Sequence, residues 1–199
     1  MGSAQPTERR APGIKAVLFD LDGTLADTAP DLVHALNTLR HEHGLAPVDY
    51  TLARGEASHG SGALLKLGFG VTPEAAEFES LRTRFLALYA DSGCARTRLF
   101  PGMEALLEQL RAQGLQLGIV TNKPSYLTAP VLAALRLGRP FDCVVSGDTT
   151  PFCKPHPEPL RHAARMLEQP PAHCVFVGDA ERDIVAGRAA GMYTLVALF

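Results

Sequence analysis

The sequence predicts an α/β fold, a doubly wound (Rossmann-like) parallel sheet interrupted by an inserted α-helical domain. Three observations predict it. Residues 14–19 form a near-continuous apolar run broken only by Lys15, the pattern of a strand buried on both faces. From Leu99 onward, short apolar runs alternate with helical patterns, and strands so separated pair in parallel through right-handed βαβ crossovers. Between these regions, residues 26–96 carry helical periodicity and no strand run, and so read as an insertion.

Each element follows in chain order. After the first strand, Asp27 or Thr28 caps a helix with Pro30 in its first turn and Leu32, Val33, Leu36 and Leu39 on one face, stopped by Gly44. Gly60-Ser61-Gly62 precedes a shorter helix with Ala63, Leu64, Leu65 and Leu67. Thr72-Pro73-Glu74 is expected to open a third helix, with Thr72 as N-cap and Phe78, Leu81, Phe85 and Leu88 inward. Pro101-Gly102 leads a helix with Met103, Leu106, Leu107 and Leu110 inward, ended by Gly114. A strand is expected at 115–120, a helix at 126–137 kinked at Pro130, and a strand at 143–145. A helix at 157–167, a strand at 174–177, a small-residue helix at 184–190 and a last strand at 193–198 complete the pattern.

The bulk numbers exclude several classes. With 199 residues, 46% hydrophobic and 20% charged, the composition is that of an ordinary globular protein. A net charge of -2 argues against nucleic acid or an anionic membrane as partner, and no apolar segment reaches the length of a span. Residues 1–13 lack the apolar stretch of a secretory signal and read as a disordered leader. Cys94, Cys143, Cys153 and Cys174 show no metal spacing, consistent with reduced thiols in a cytoplasmic protein. His41 and His43, two residues apart, do not share a helix face and are not read as ligands.

Four polar sets fall at predicted strand ends on one edge of the sheet, where open α/β sheets place their ligands. Asp20 and Asp22 of Asp-Leu-Asp-Gly-Thr follow the first strand, and Thr121-Asn122 follows the strand at 115–120. Lys154 lies in the Cys-Lys-Pro-His-Pro-Glu-Pro loop, and Gly178-Asp179 ends the 174–177 strand, with Asp183 four residues on. The types suit a phosphomonoester dianion, whose oxygens need a cation, a lysine and neutral donors. A carboxylate can attack phosphorus and divide hydrolysis into two easier steps, while a second acid protonates the leaving alkoxide and then activates water. Two neighbouring carboxylates also need a hard divalent cation between them.

This ordered set resembles the haloacid dehalogenase-like phosphatase superfamily over nearly the whole chain from Ile14. DLDGT matches its first motif, TN the second, the lysine of KPHPEP the third and GDAERD the fourth. The resemblance implies Asp20 as nucleophile and Asp22 as general acid/base. Mg²⁺ would be held by Asp20, the Asp22 backbone carbonyl and Asp179, with Asp183 supporting it directly or through water. Thr121, Asn122 and Lys154 would hold the phosphate. It also implies an α/β core at 14–26 and 97–199, with a helical cap at 27–96 and a further loop and helix beyond Phe199.

Within the superfamily, FDLDGTLADTAPDL, PGMEALLEQLRAQG and VTNKP resemble the phosphoglycolate phosphatase group. SHGSGALL and DTTPFCKPHPEPL are also similar to N-acetylmuramic acid 6-phosphate phosphatases. The expected partner is therefore a small phosphorylated metabolite. Arg54, Ser58, His59 and Ser61 are the expected cap residues reading its non-phosphate part, with Arg54 pairing a carboxylate. Asp22 argues against a dehalogenase. Two alternatives stay open: a sugar phosphomutase, which keeps both acids, and a non-enzymatic phospho-receiver, which carries no inserted cap.

Overall fold

The computed structural model describes residues 13–136 and 141–198. The expected leader, the end of the 126–137 helix at Leu137, and Phe199 fall outside them, apart from Gly13. A parallel five-stranded sheet forms the centre, built from β1 (Ala16–Phe19), β4 (Gln116–Val120), β5 (Cys143–Val145), β6 (Cys174–Gly178) and β7 (Tyr193–Val196), in the order β5-β4-β1-β6-β7. β1 pairs in parallel with β4 on one side and β6 on the other. The chain first builds outward from β1 through β4 to β5, then crosses to β6 and β7. β1 is therefore the topological switch point, beyond whose carboxyl end a crevice opens.

Helices α5 (Met103–Ala112), α6 (Ser125–Ala134), α7 (Glu158–Met166) and α8 (Glu181–Ala190) connect these strands. One apolar cluster joins Leu18, Val120, Val145 and Phe176 to Leu160 of α7 and Ala186 of α8. A second packs Val17, Phe19, Leu117 and Ile119 against Met103 and Leu107 of α5 and Val131 of α6. Two clusters on opposite faces of the same strands explain why those strands are apolar throughout.

The inserted region forms α1 (Ala29–Glu42), α2 (Tyr50–Ala57), α3 (Ser61–Phe69) and α4 (Phe78–Asp91). Their shared core includes Leu36, Leu39, Leu64, Leu65, Phe85 and Tyr89, and Leu127 of α6 joins it. The chain leaves for these helices through β2 (Ala26–Asp27) and returns through β3 (Arg98–Leu99), an antiparallel pair. Buried Asp31 of α1 ties down the return, accepting from the Arg96 amide at 3.1 Å and the Thr97 hydroxyl at 2.7 Å.

Several expectations are corrected. The periodicity did not reveal α2, whose buried residues are only Ala53 and Ala57. The helix expected to open at Thr72 is α4 and begins at Phe78, because residues 73–77 form turns. Leu106 is 39% exposed instead of inward, since Met103 and Leu107 alone of that helix are buried. Helix α6 continues through Pro130, and β7 ends at Val196. The four cysteines are free, with Cys94, Cys143 and Cys174 buried and Cys153 exposed. No helix among the described residues is long and apolar enough to cross a membrane.

Candidate active site

The polar residues predicted at strand ends converge beyond β1. Asp20 is 2% exposed; its Oδ1 accepts from the Leu21 amide at 2.7 Å and faces the Lys154 Nζ at 2.9 Å. The Lys154 ammonium donates to the Val120 carbonyl at 2.8 Å and stands 2.7 Å from the Asp183 Oδ1. A wholly buried ammonium is tolerable here because it lies between two carboxylates and a carbonyl. Asn122 fixes its loop, accepting from the Lys154 amide at 2.9 Å and donating to the Lys154 carbonyl at 2.8 Å. Its side-chain amide is thus engaged with protein, where the sequence suggested a phosphate contact.

Asp179 accepts from the Thr24 hydroxyl at 2.9 Å. Gly23, at φ +78°, passes so close that a Cβ there would lie 2.4 Å from the Asp179 Oδ2 and 2.2 Å from the Ser58 Oγ. A side chain at this turn would be strained and would push on a carboxylate of the site. Gly178 serves similarly, since its Cβ would meet the Asp183 Cβ at 2.4 Å. Asp183, in the first turn of α8, accepts from the Ala180 amide at 3.0 Å.

Carboxylate oxygens of Asp20, Asp179 and Asp183 all lie within 4.8 Å of one another. Burial, and after it the adjacent Asp20 carboxylate, pushes the Asp183 carboxyl above its ordinary range, with Lys154 opposing. Its Oδ1 is buried without an aligned hydrogen bond, despite the nearby ammonium. Three carboxylates against one lysine leave negative charge uncompensated. That donor set fits a hard divalent cation. The Asp22 side chain is not in the cluster.

Asp22 is held differently. Its Oδ1 accepts from the Thr28 hydroxyl at 2.5 Å and faces the Lys123 Nζ at 3.0 Å. Thr28 stands at the N-cap position of α1, yet its hydroxyl serves Asp22 and makes no cap bond. The Lys123 ammonium also donates to the Tyr89 hydroxyl at 3.0 Å, with its Nζ 4.4 Å from that ring's centre. Burial alone would lower the Lys123 pKa, but Asp22 and Tyr89 outweigh it and hold it above its usual value. Burial pushes the Tyr89 phenol up to about 12.

A cavity of about 270 Å³ joins this cluster to the inserted helices. Its lining includes Asp20, Asp22, Thr121 and Asn122 from the sheet edge and Ser58, His59 and Ser61 from the inserted turn. Arg54 is not brought there. It pairs with Asp27 at 2.8 Å and lines a second cavity near Asp179. The cations at the first cavity are instead Arg82 of α4, Arg182 of α8 and Lys123. The Arg182 side chain also donates to the Ser58 carbonyl, tying α8 to the inserted turn. Neither arginine stands out locally, because what α4 and α8 face across the cavity is set only by packing. Lys123, by contrast, lay within the quoted VTNKP segment beside Thr121 and Asn122, and its position after β4 was the available signal.

One relative, 41% identical over 181 residues (91% of this chain and 81% of its own length), is an N-acetylmuramic acid 6-phosphate phosphatase of Pseudomonas putida. Another, 42% identical over 185 residues (93% and 83%), is a phosphoglycolate phosphatase of Xanthomonas campestris pv. campestris. The crystal structure of a predicted phosphoglycolate phosphatase from Haemophilus somnus superposes with a TM-score of 0.80 at 30% identity, covering 92% of this chain and 84% of that one. Residues 14–191 match the family model of the haloacid dehalogenase-like hydrolases. By its sheet order, its convergent acids and this match, the chain belongs to that hydrolase family.

Proposed function

We propose that this hydrolase cleaves a small phosphomonoester through an aspartyl-phosphate on Asp20. The observation that carries the reading is the buried Lys154 ammonium held 2.9 Å from the Asp20 carboxylate, at the switch point of the sheet. Asp20 attacks phosphorus as the bond to the leaving oxygen breaks, and Asp22 gives that oxygen its proton. Asp22 then takes a proton from water as the water attacks phosphorus. The Asp20–phosphorus bond breaks and inorganic phosphate leaves. Lys154 and the Thr121 hydroxyl stabilise the phosphoryl oxygens, while a contact from Asn122 falls to its main chain.

Asp20, Asp179 and Asp183, with the Asp22 carbonyl, would hold Mg²⁺. When bound, the ion neutralises charge so that a carboxylate and a phosphate dianion can approach each other. The cavity is also lined by Ser58, His59 and Ser61 with Arg82 and Arg182. Two arginines there suit a substrate with a second anionic group. A phosphorylated small carboxylic acid of the phosphoglycolate kind satisfies these requirements. The 41% identical relative favours N-acetylmuramic acid 6-phosphate as the second reading.

A panel of 2-phosphoglycolate, N-acetylmuramic acid 6-phosphate and nucleoside monophosphates, each with Mg²⁺, tests the substrate. The reading expects kcat/KM for one of the two carboxylate-bearing phosphates to exceed that for the nucleotides by about 100-fold or more, the discrimination of a well-paired buried anion. Comparable slow turnover of all of them would exclude both named substrates.

A further inference from the structure

We propose that Lys123 is a positioning residue for the acid/base Asp22, and that Tyr89 on the cap helix α4 holds Lys123 in place for this role. The inference rests on the reading of Asp22 given above. Both donors that fix Asp22, the Thr28 hydroxyl and the Lys123 ammonium, approach the same oxygen, Oδ1. Two donors on Oδ1 disfavour a proton there and leave Oδ2 to exchange one with the leaving oxygen. The carboxylate plane is set at the same time, because two contacts fix where Oδ1 lies. Proton transfer demands such alignment, since small displacements cost large factors in rate.

Lys123 cannot hold that position by itself, because four rotatable bonds separate its nitrogen from the backbone. Tyr89 supplies the second constraint, with its hydroxyl 3.0 Å from the nitrogen and its ring beneath. Tyr89 is 1% exposed and sits in the packed core of α1, α3 and α4. The two anchors of Asp22 thus both trace to the inserted helices, through Thr28 at the start of α1 and through Tyr89 of α4. Lys123 is the only sheet-side member of this chain of contacts apart from Asp22 itself, among the described residues.

The leaving group provides the test. An alkyl oxygen cannot depart without a proton, whereas p-nitrophenolate leaves unaided. The ratio kcat/KM reports only the steps up to departure, so the later attack of water does not enter it. Wild-type protein is first confirmed to hydrolyse p-nitrophenyl phosphate and an alkyl phosphomonoester from the panel; failure there overturns the phosphatase reading, not the role of Lys123. Lys123→Met is then expected to lower kcat/KM for the alkyl ester about 100-fold and for p-nitrophenyl phosphate less than about 3-fold. Its kcat should fall on both, because water attack still needs Asp22. Equal losses of kcat/KM on the two esters, or no loss on either, overturn the proposal. If circular dichroism shows that Lys123→Met does not fold, Tyr89→Phe carries the test. About a 10-fold loss confined to the alkyl ester supports the proposal, and an unselective change overturns it.

Discussion

At the scale of single residues, the site is a problem of holding like charges together. Asp20, Asp179 and Asp183 crowd within 4.8 Å, and each is fixed by a donor that the fold supplies: Lys154, Thr24 and the Ala180 amide. Gly23 is the tightest constraint on this arrangement. Gly23→Ala places a Cβ against Asp179 in a left-handed backbone conformation that costs about 1–2 kcal/mol by itself. The Mg²⁺ concentration for half-maximal p-nitrophenyl phosphate hydrolysis is expected to rise about 10-fold, as when the support of a metal ligand is disturbed. An unchanged Mg²⁺ dependence would show that Asp179 does not hold the ion. Asp20 and Asp179 were legible in the sequence because each directly follows an apolar strand run, and Asp22 because it stands two residues beyond Asp20. Asn122 was legible as a site residue, but its engagement with the Lys154 backbone depends on a loop 32 residues away.

At the scale of elements, legibility followed the size of the apolar stripe. Helix α1 buries Leu32, Val33, Leu36 and Leu39 and was plain, whereas α2 buries two alanines four residues apart and left no signal. With that helix unseen its orientation was unknown, and the pairing of Arg54 with Asp27 was not foreseen. The α4 contact to the sheet edge makes a second prediction. In the unfolded chain Tyr89 titrates near its ordinary value of 10.0, while in the folded protein it does so at about 12. Between those values the unfolded state binds fewer protons, so stability falls as pH rises through the window and is fully retained below it. Lys123, also raised, acts in the same direction from its ordinary value of 10.5 upward, overlapping the Tyr89 window. Urea midpoints should therefore decline from about pH 10 upward. Tyr89→Phe should remove up to about 1.4 kcal/mol per pH unit of that slope. Identical slopes for the two proteins would show that the phenol is not held protonated by burial.

At the scale of the whole molecule, sheet order brings the distant motifs together. The sequence implied parallel βαβ units and an insertion, but not which strand stands at the centre. That order emerges from the pairing of β1 with both β4 and β6, which sets Asp20 between Thr121 and Asp179. The insertion then closes one side of the crevice with Ser58, His59 and Ser61. All of this geometry serves one claim, that phosphate passes through a covalent bond to Asp20. Rapid acid quench during p-nitrophenyl phosphate turnover, followed by peptide mass spectrometry, measures that bond. The account predicts a phosphoryl adduct on the peptide containing Asp20, more abundant in Asp22→Asn, where water is not activated, and absent in inactive Asp20→Asn. Retained turnover in Asp20→Asn, or an adduct on any other peptide, would contradict it.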